Sequence, residues 1–201
     1  MDLAAPIADL IPGHRGALLA TLLRLREPVT GRELAAQAGV PPATAARIID
    51  DLADAGLLEL TPAGRAVGVA LNRRHLAVPA LEQLAGLRGG LVALLRSTIA
   101  EWTLPAAAGW LFGSAARGDG DAHSDVDILL VARRGTTEAW EEQIGELAHL
   151  TSAATGNNVQ VLDYSRAQFR ELVASNNPLV RALRKDGIEL VDASSALLRA
   201  R

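Results

Sequence analysis

The sequence predicts an α+β chain built as two domains, a small helical domain closed by a β-hairpin and then a mixed-sheet α/β domain. Three observations carry this reading. Helical periodicity dominates the first 56 residues, two short alternating segments follow around a Thr-Pro-Ala-Gly turn, and after Pro105 apolar strand-like runs alternate with helical segments. A length of 201 residues allows two modest domains, and 49% hydrophobic residues exclude a disordered chain. Aromatic residues make up only 3%, so the cores must be built from Leu, Val, Ile and Ala.

Residues 7–25 set Leu18, Leu19, Leu22, Leu23 and Leu25 at helical spacing. Thr30 and Glu33 then form a Thr-x-x-Glu capping box, which satisfies two orphan donors at a second helix start. Gly39 should end that helix, since glycine adopts the left-handed conformation without steric cost. Pro42 suits the first turn of a third helix, with Ala45, Ile48, Ile49 and Leu52 on one stripe and a stop at Gly56. "LLELTPAGRAVGVALN" reads as a hairpin in which Val67, Val69 and Leu71 point inward. Residues 76–104 read as one or two connecting helices, with Gly89-Gly90 as a break. Strands are predicted at about 107–113, 126–133, 158–163 and 187–191, and helices at about 137–154, 165–175 and 178–185. The expected division is 1–76, a connecting segment 77–104, and 105–201.

Composition removes several classes of function. With no cysteine there are neither disulfides nor thiolate metal sites. Twenty basic residues against 23 acidic ones give no global positive field, so nucleic acid would have to meet a local patch. The first 25 residues lack the pattern of a signal peptide, and no window reaches the roughly 18 apolar residues of a membrane span. A cytoplasmic protein without membrane contact is the expectation.

The chemistry concentrates in "GWLFGSAARGDGDAHSDVDILLVARR", residues 109–134. In a strand, side chains alternate faces, so Asp125 and Asp127 point the same way while Val126 points inward. Two carboxylates so placed repel unless a cation lies between them. Mg²⁺ is a hard ion that takes oxygen ligands, commonly one or two carboxylates plus substrate phosphates. Gly113 allows close approach of backbone, and the helix start after it offers N–H groups to an anion. Ser114 adds a hydroxyl, as phosphate donor or helix N-cap, and Arg117 lies one turn on, within reach of a phosphate oxygen. His123 and Asp121 read as solvent-facing loop residues.

Gly-Ser, ten intervening residues and Asp-x-Asp, with Arg117-Gly118 and Ser124 inside the spacing, resemble the signature of the polymerase-β-like nucleotidyltransferases of the minimal type. The resemblance spans about residues 105–191. It implies attack of an acceptor hydroxyl on the α-phosphate of ATP or another nucleoside triphosphate, assisted by Mg²⁺ or Mn²⁺. It also implies that Gly113 and Ser114 hold phosphates, with Arg117 beside them, and that Asp125 and Asp127 are the catalytic metal ligands. Active members of the family carry a third acid on a later strand. In "NNVQVLDYS" that position aligns with Gln160, which takes no proton at neutral pH. Asp163, three residues on, has the opposite parity in a regular strand and is the substitute only if the strand bends.

Three helices followed by a hairpin, over about residues 8–75, resemble a winged helix-turn-helix domain. The resemblance implies a recognition helix presenting Thr44 and Arg47 to duplex DNA, with Arg65 at the wing tip and Arg73-Arg74 beyond it. Asp50, Asp51 and Asp54 on the same helix oppose phosphate binding. Docking of a partner protein or of a second copy of the chain is the competing use of such a domain, and homodimers are common among winged helices that read DNA.

Two functions fit these residues. One is a metal-dependent transferase moving a nucleotidyl group onto a hydroxyl of a small molecule, an RNA end or a partner protein, a theme of toxin–antitoxin pairs in the family. The other is a DNA-binding regulator or antitoxin whose nucleotide-binding domain is catalytically degenerate.

Overall fold

The computed structural model describes residues 1–63, 66–135, 137–192 and 194–199. The chain divides into two compact units, one of Ala5–Leu87 and one made of Met1–Ala4 together with Arg88–Arg201.

The first unit contains α1 (Pro6–Leu10), α2 (His14–Arg24), β1 (Val29–Thr30), α3 (Gly31–Ala38), α4 (Pro42–Asp54), β2 (Leu58–Ala63), β3 (Ala66–Leu71) and α5 (Val78–Ala85). Residues 7–25 are thus two helices, divided at Pro12-Gly13. Thr30 caps α3 as the spacing predicts: its Oγ accepts from Glu33 N–H, and its own N–H donates to Glu33 Oε2 at 2.8 Å. That N–H and the Thr30 hydroxyl, which both donate to Oε2, hold the Glu33 carboxyl below the usual carboxylate range. The helix ends at Gly39 with φ +67°, in the left-handed region. Ala45, Ile48, Ile49 and Leu52 of α4 are buried against Leu18, Leu22 and Leu34.

Strand order in the three-stranded sheet is β1-β3-β2, all antiparallel. The two residues of β1 were not foreseen, because so short a strand has no periodicity of its own and exists only as a partner for Gly68 and Val69. Thr61 and Pro62, expected in the turn, belong to β2. Val67, expected inward, is 51% exposed, whereas Val69 and Leu71 are buried. It pairs with Pro62 near the end of the ladder and stays outside the core that Val69 and Leu71 join.

The second unit opens with α6 (Leu87–Ala100), then β4 (Ala106–Phe112), α7 (Gly113–Arg117), β5 (Val126–Ala132), α8 (Glu138–Thr155), β6 (Val159–Ser165), α9 (Arg166–Ala174), α10 (Pro178–Asp186), β7 (Ile188–Glu189) and α11 (Ser194–Arg199). Gly89-Gly90, expected as a break, lies inside α6, and the helical run is interrupted at Gly86 instead. Flanking apolar residues decide this: Leu91, Val92, Leu95 and Ile99 bury one stripe of α6, which keeps the glycine pair helical.

The four-stranded sheet has the order β6-β5-β4-β7, with β5 parallel to β6 and the other pairs antiparallel. Alternation along β5 feeds two cores. Val126, Ile128 and Leu130 join Leu95 of α6 and Trp140 and Leu147 of α8, while Leu129 and Val131 join Phe169, Val180 and Leu183 of α9 and α10. A strand buried on both faces carries the near-continuous apolar run that the sequence shows here. Among the described residues, no single helix is long and apolar enough to cross a membrane.

Loss of the α3 cap measures how far the first unit depends on local bonding. Thr30→Ala is expected to lower the unfolding free energy by about 1 kcal/mol, read from urea denaturation.

Candidate functional site

Asp127 is the second residue of β5 and is half-buried; it shares the parity of Leu129 and Val131 and so points toward the α9–α10 face. Its register partners are Phe112 on β4 and Gln160 on β6. Asp125 precedes the strand and is exposed. Burial pushes the Asp127 carboxyl above the usual carboxylate range, and the charge of Asp125 adds to the rise, while Arg117 works against it. The pair is therefore close enough to repel.

Gly113 closes the site from the β4 side. It has φ +69°, and a Cβ built there would overlap Asp127 Oδ2. A side chain at this position is thus excluded twice, by backbone conformation and by the carboxylate. Ser114 is the second residue of α7, whose N-cap is Phe112, so its hydroxyl does not cap the helix. Instead Ser114 lines one small recess with Gly120, Ser124 and Asp125.

Arg117 is engaged within the loop: its Nε donates to Asp119 Oδ2 at 2.8 Å, which holds the Asp119 carboxyl below its ordinary value. A phosphate would have to compete with that pair. His123 and Asp121 are exposed, yet Asp121 is not idle. Its Oδ1 accepts from His123 N–H at 2.9 Å and from Ser124 Oγ at 3.0 Å, so it shapes the turn ahead of Asp125.

Parallel pairing sets Gln160 directly beside Asp127, at the position where the resemblance puts a third acid. Asp163 pairs with Leu130, on the opposite face, and its Oδ2 accepts from Trp140 Nε1 at 3.4 Å. No bulge interrupts the β5–β6 register from Val159 to Ser165, so Asp163 stays turned away from Asp127. Among the described residues, no three His, Asp or Glu side chains converge as a metal cluster. Two repelling carboxylates with open solvent on one side still suit a hard divalent ion that completes its shell with water and phosphate.

In the first unit, Thr44 and Arg47 lie on α4, with Arg47 exposed and Thr44 half-buried, and both line a recess of about 260 Å³ with His14 and Arg15. Arg15 of α2 pairs with Asp51 at 2.9 Å, so one of the three helix acids is neutralised. Arg73 is diverted from any wing surface: it bonds Glu82 at 2.8 Å and donates to the carbonyls of Leu23 and Leu25 at the end of α2. Arg74 faces Glu59 at 3.6 Å. Arg65 lies outside the described residues.

A raised folded-state pKa means that the folded chain binds the Asp127 proton more tightly than the unfolded chain. Metal-free stability should therefore fall as pH rises from the ordinary carboxylate range through the raised value. Asp127→Asn is expected to flatten that fall and to raise the Tm at neutral pH in EDTA, as thermal melts across the acid-to-neutral range would read.

Residues 99–182 match the polymerase beta nucleotidyltransferase family model, and residues 16–62 match the IclR helix-turn-helix domain model. No curated protein sequence matches the chain. Among solved structures, RV1404 from Mycobacterium tuberculosis is 25% identical, with 50% of this chain and 73% of that chain covered and a TM-score of 0.37. A toxin-antitoxin structure with AMP-PNP is 21% identical, with 55% and 77% covered and a TM-score of 0.35. The archaeal chromatin protein TrmBL2 is 13% identical, with 90% and 78% covered and a TM-score of 0.33. The two matches set a polymerase beta nucleotidyltransferase model, over residues 99–182, behind an IclR-type helix-turn-helix model, over residues 16–62, which is the arrangement the sequence resembles.

Proposed function

We propose that the second unit transfers a nucleotidyl group, AMP from ATP, to a hydroxyl acceptor, with Mg²⁺ or Mn²⁺ held by Asp125 and Asp127. The observation that carries this reading is the half-buried Asp127 against a glycine that can hold no side chain, with the Asp125 charge beside it. Both acids, Gly113 and Ser114 fall inside the family match at 99–182.

In this reaction an acceptor oxygen forms a bond to the α-phosphorus, and the bond from that phosphorus to the departing pyrophosphate breaks. A bound divalent ion would stabilise the negative charge that grows on these oxygens. Gly113 and Ser114 bind the phosphate tail through backbone N–H and hydroxyl groups, and Arg117 adds positive charge at the rim. Gln160 orients the acceptor hydroxyl by a hydrogen bond but accepts no proton, so the proton leaves to water. The first unit addresses this activity to duplex DNA through Thr44 and Arg47, or to a partner protein that supplies the hydroxyl.

One observation favours a second reading. With Gln160 in register with Asp127, the domain lacks the third carboxylate, and a nucleotide-binding regulator or antitoxin without turnover accounts for that. Gln160→Asp separates the two. With labelled ATP, Mg²⁺ and candidate acceptors, the wild type is expected to transfer label, Asp127→Asn to fall to background, and Gln160→Asp to gain up to about a hundredfold from a restored base. No transfer with any nucleoside triphosphate, with Asp125→Asn indistinguishable from wild type, removes the enzyme.

DNA binding is read independently by mobility shift at several salt concentrations. Arg47→Ala is expected to cost about 1–3 kcal/mol of sequence discrimination. No shift even at low salt would remove duplex DNA as a partner.

A further inference from the structure

Asp125 stands outside the strand ladder, so the sheet alone does not fix it. The turn before it is tied down by a residue that belongs to neither the Gly-Ser nor the Asp-x-Asp motif. Asn157, between α8 and β6, is buried at 4% exposure. Its Nδ2 donates to the Ser124 carbonyl at 2.9 Å and to the Met1 carbonyl at 3.1 Å, with the Ala122 carbonyl at 3.5 Å. Its Oδ1 accepts from the Met1 amino group at 3.1 Å. Both ends of the amide are thus satisfied, which a buried amide requires. One residue on, the Asn158 carbonyl accepts from Val126 N–H at 2.8 Å and sets the first rung of the β5–β6 pairing.

The Ser124 carbonyl belongs to the peptide that leads into Asp125. Within the turn, Ser124 Oγ accepts from Asp121 N–H at 2.9 Å, and Ser124 N–H donates to the Asp121 carbonyl at 3.2 Å. These local bonds shape the turn, but only Asn157 ties its carbonyl side to the core of the unit among the described hydrogen bonds.

We infer that Asn157 is a positioning residue: its buried amide fixes the Ser124–Asp125 peptide and so holds the Asp125 carboxylate beside Asp127. It acts through the turn and not on the nucleotide. The consequence for the reaction rests on the transferase reading, whereas the fixing of the turn can be measured without it.

Three variants of the full chain test this. Asn157→Ala removes the amide, and Asn157→Asp keeps its shape and an acceptor but loses both donors. Leu147→Ala opens a cavity in α8, at a fully buried core residue with no bond to the turn. Hydrogen exchange is expected to quicken about tenfold at the Ser124 and Val126 amides in both Asn157 variants, with the β5 amides of Ile128–Leu130 unchanged. Leu147→Ala should lower the Tm without singling out the turn. Calorimetry with Mg-ATP should show affinity lower by about ten- to a hundredfold in the Asn157 variants, with the Mg²⁺ requirement moved to higher concentration. Unchanged exchange at the turn, equal loosening in Leu147→Ala, or a loosened turn with unaltered Mg-ATP affinity would each overturn the positioning role. If the wild type binds no Mg-ATP, the transferase reading fails, and the exchange result alone decides whether Asn157 fixes the turn.

Discussion

Two like charges at the mouth of a strand buried on both faces are the constraint around which the second unit is arranged. Asp127 is held in the ladder between Phe112 and Gln160, half-buried, with Gly113 against its carboxylate. Asp125 can move only as far as the turn before it allows. An apolar strand that spends its first turn-out on two acids forgoes stability there, and such a concession is characteristic of positions kept for chemistry. The raised Asp127 pKa is the electrostatic record of that concession.

The strand β6 has a divided character. It supplies no carboxylate opposite Asp127, and Asp163, its one acid, is turned to the other face and bonded to Trp140. Yet the residues that lead into it carry Asn157 and the Asn158 carbonyl, both tied to the segment 124–126. The edge that presents Gln160 to Asp127 is therefore also the edge tied to the turn before Asp125.

The helix-turn-helix unit shows a comparable redistribution of charge. Arg73, expected beyond the wing, closes the carbonyl end of α2 instead, and Arg15 neutralises Asp51. The exposed surface of α4 is correspondingly less acidic than its sequence, and Arg47 remains its exposed cation.

Local rules were legible in the residues themselves. The Thr30–Glu33 box, the stop at Gly39, Pro42 at the start of α4 and the order of strands and helices after Pro105 follow from short-range sterics and hydrogen bonding, and they are written in neighbouring residues. The Gly-Ser and Asp-x-Asp spacing was equally readable, and so was the opposite parity of Asp163, because strand alternation is a local property. Tertiary structure alone decided what depends on a distant partner. Val67 is exposed because it stays outside the core that Val69 and Leu71 join, β1 exists only by pairing with β3, and Gly89-Gly90 stays helical because its neighbours find a core. The bond from Asn157 to Ser124 joins residues 33 positions apart, and no periodicity encodes a buried amide that meets a carbonyl across the fold.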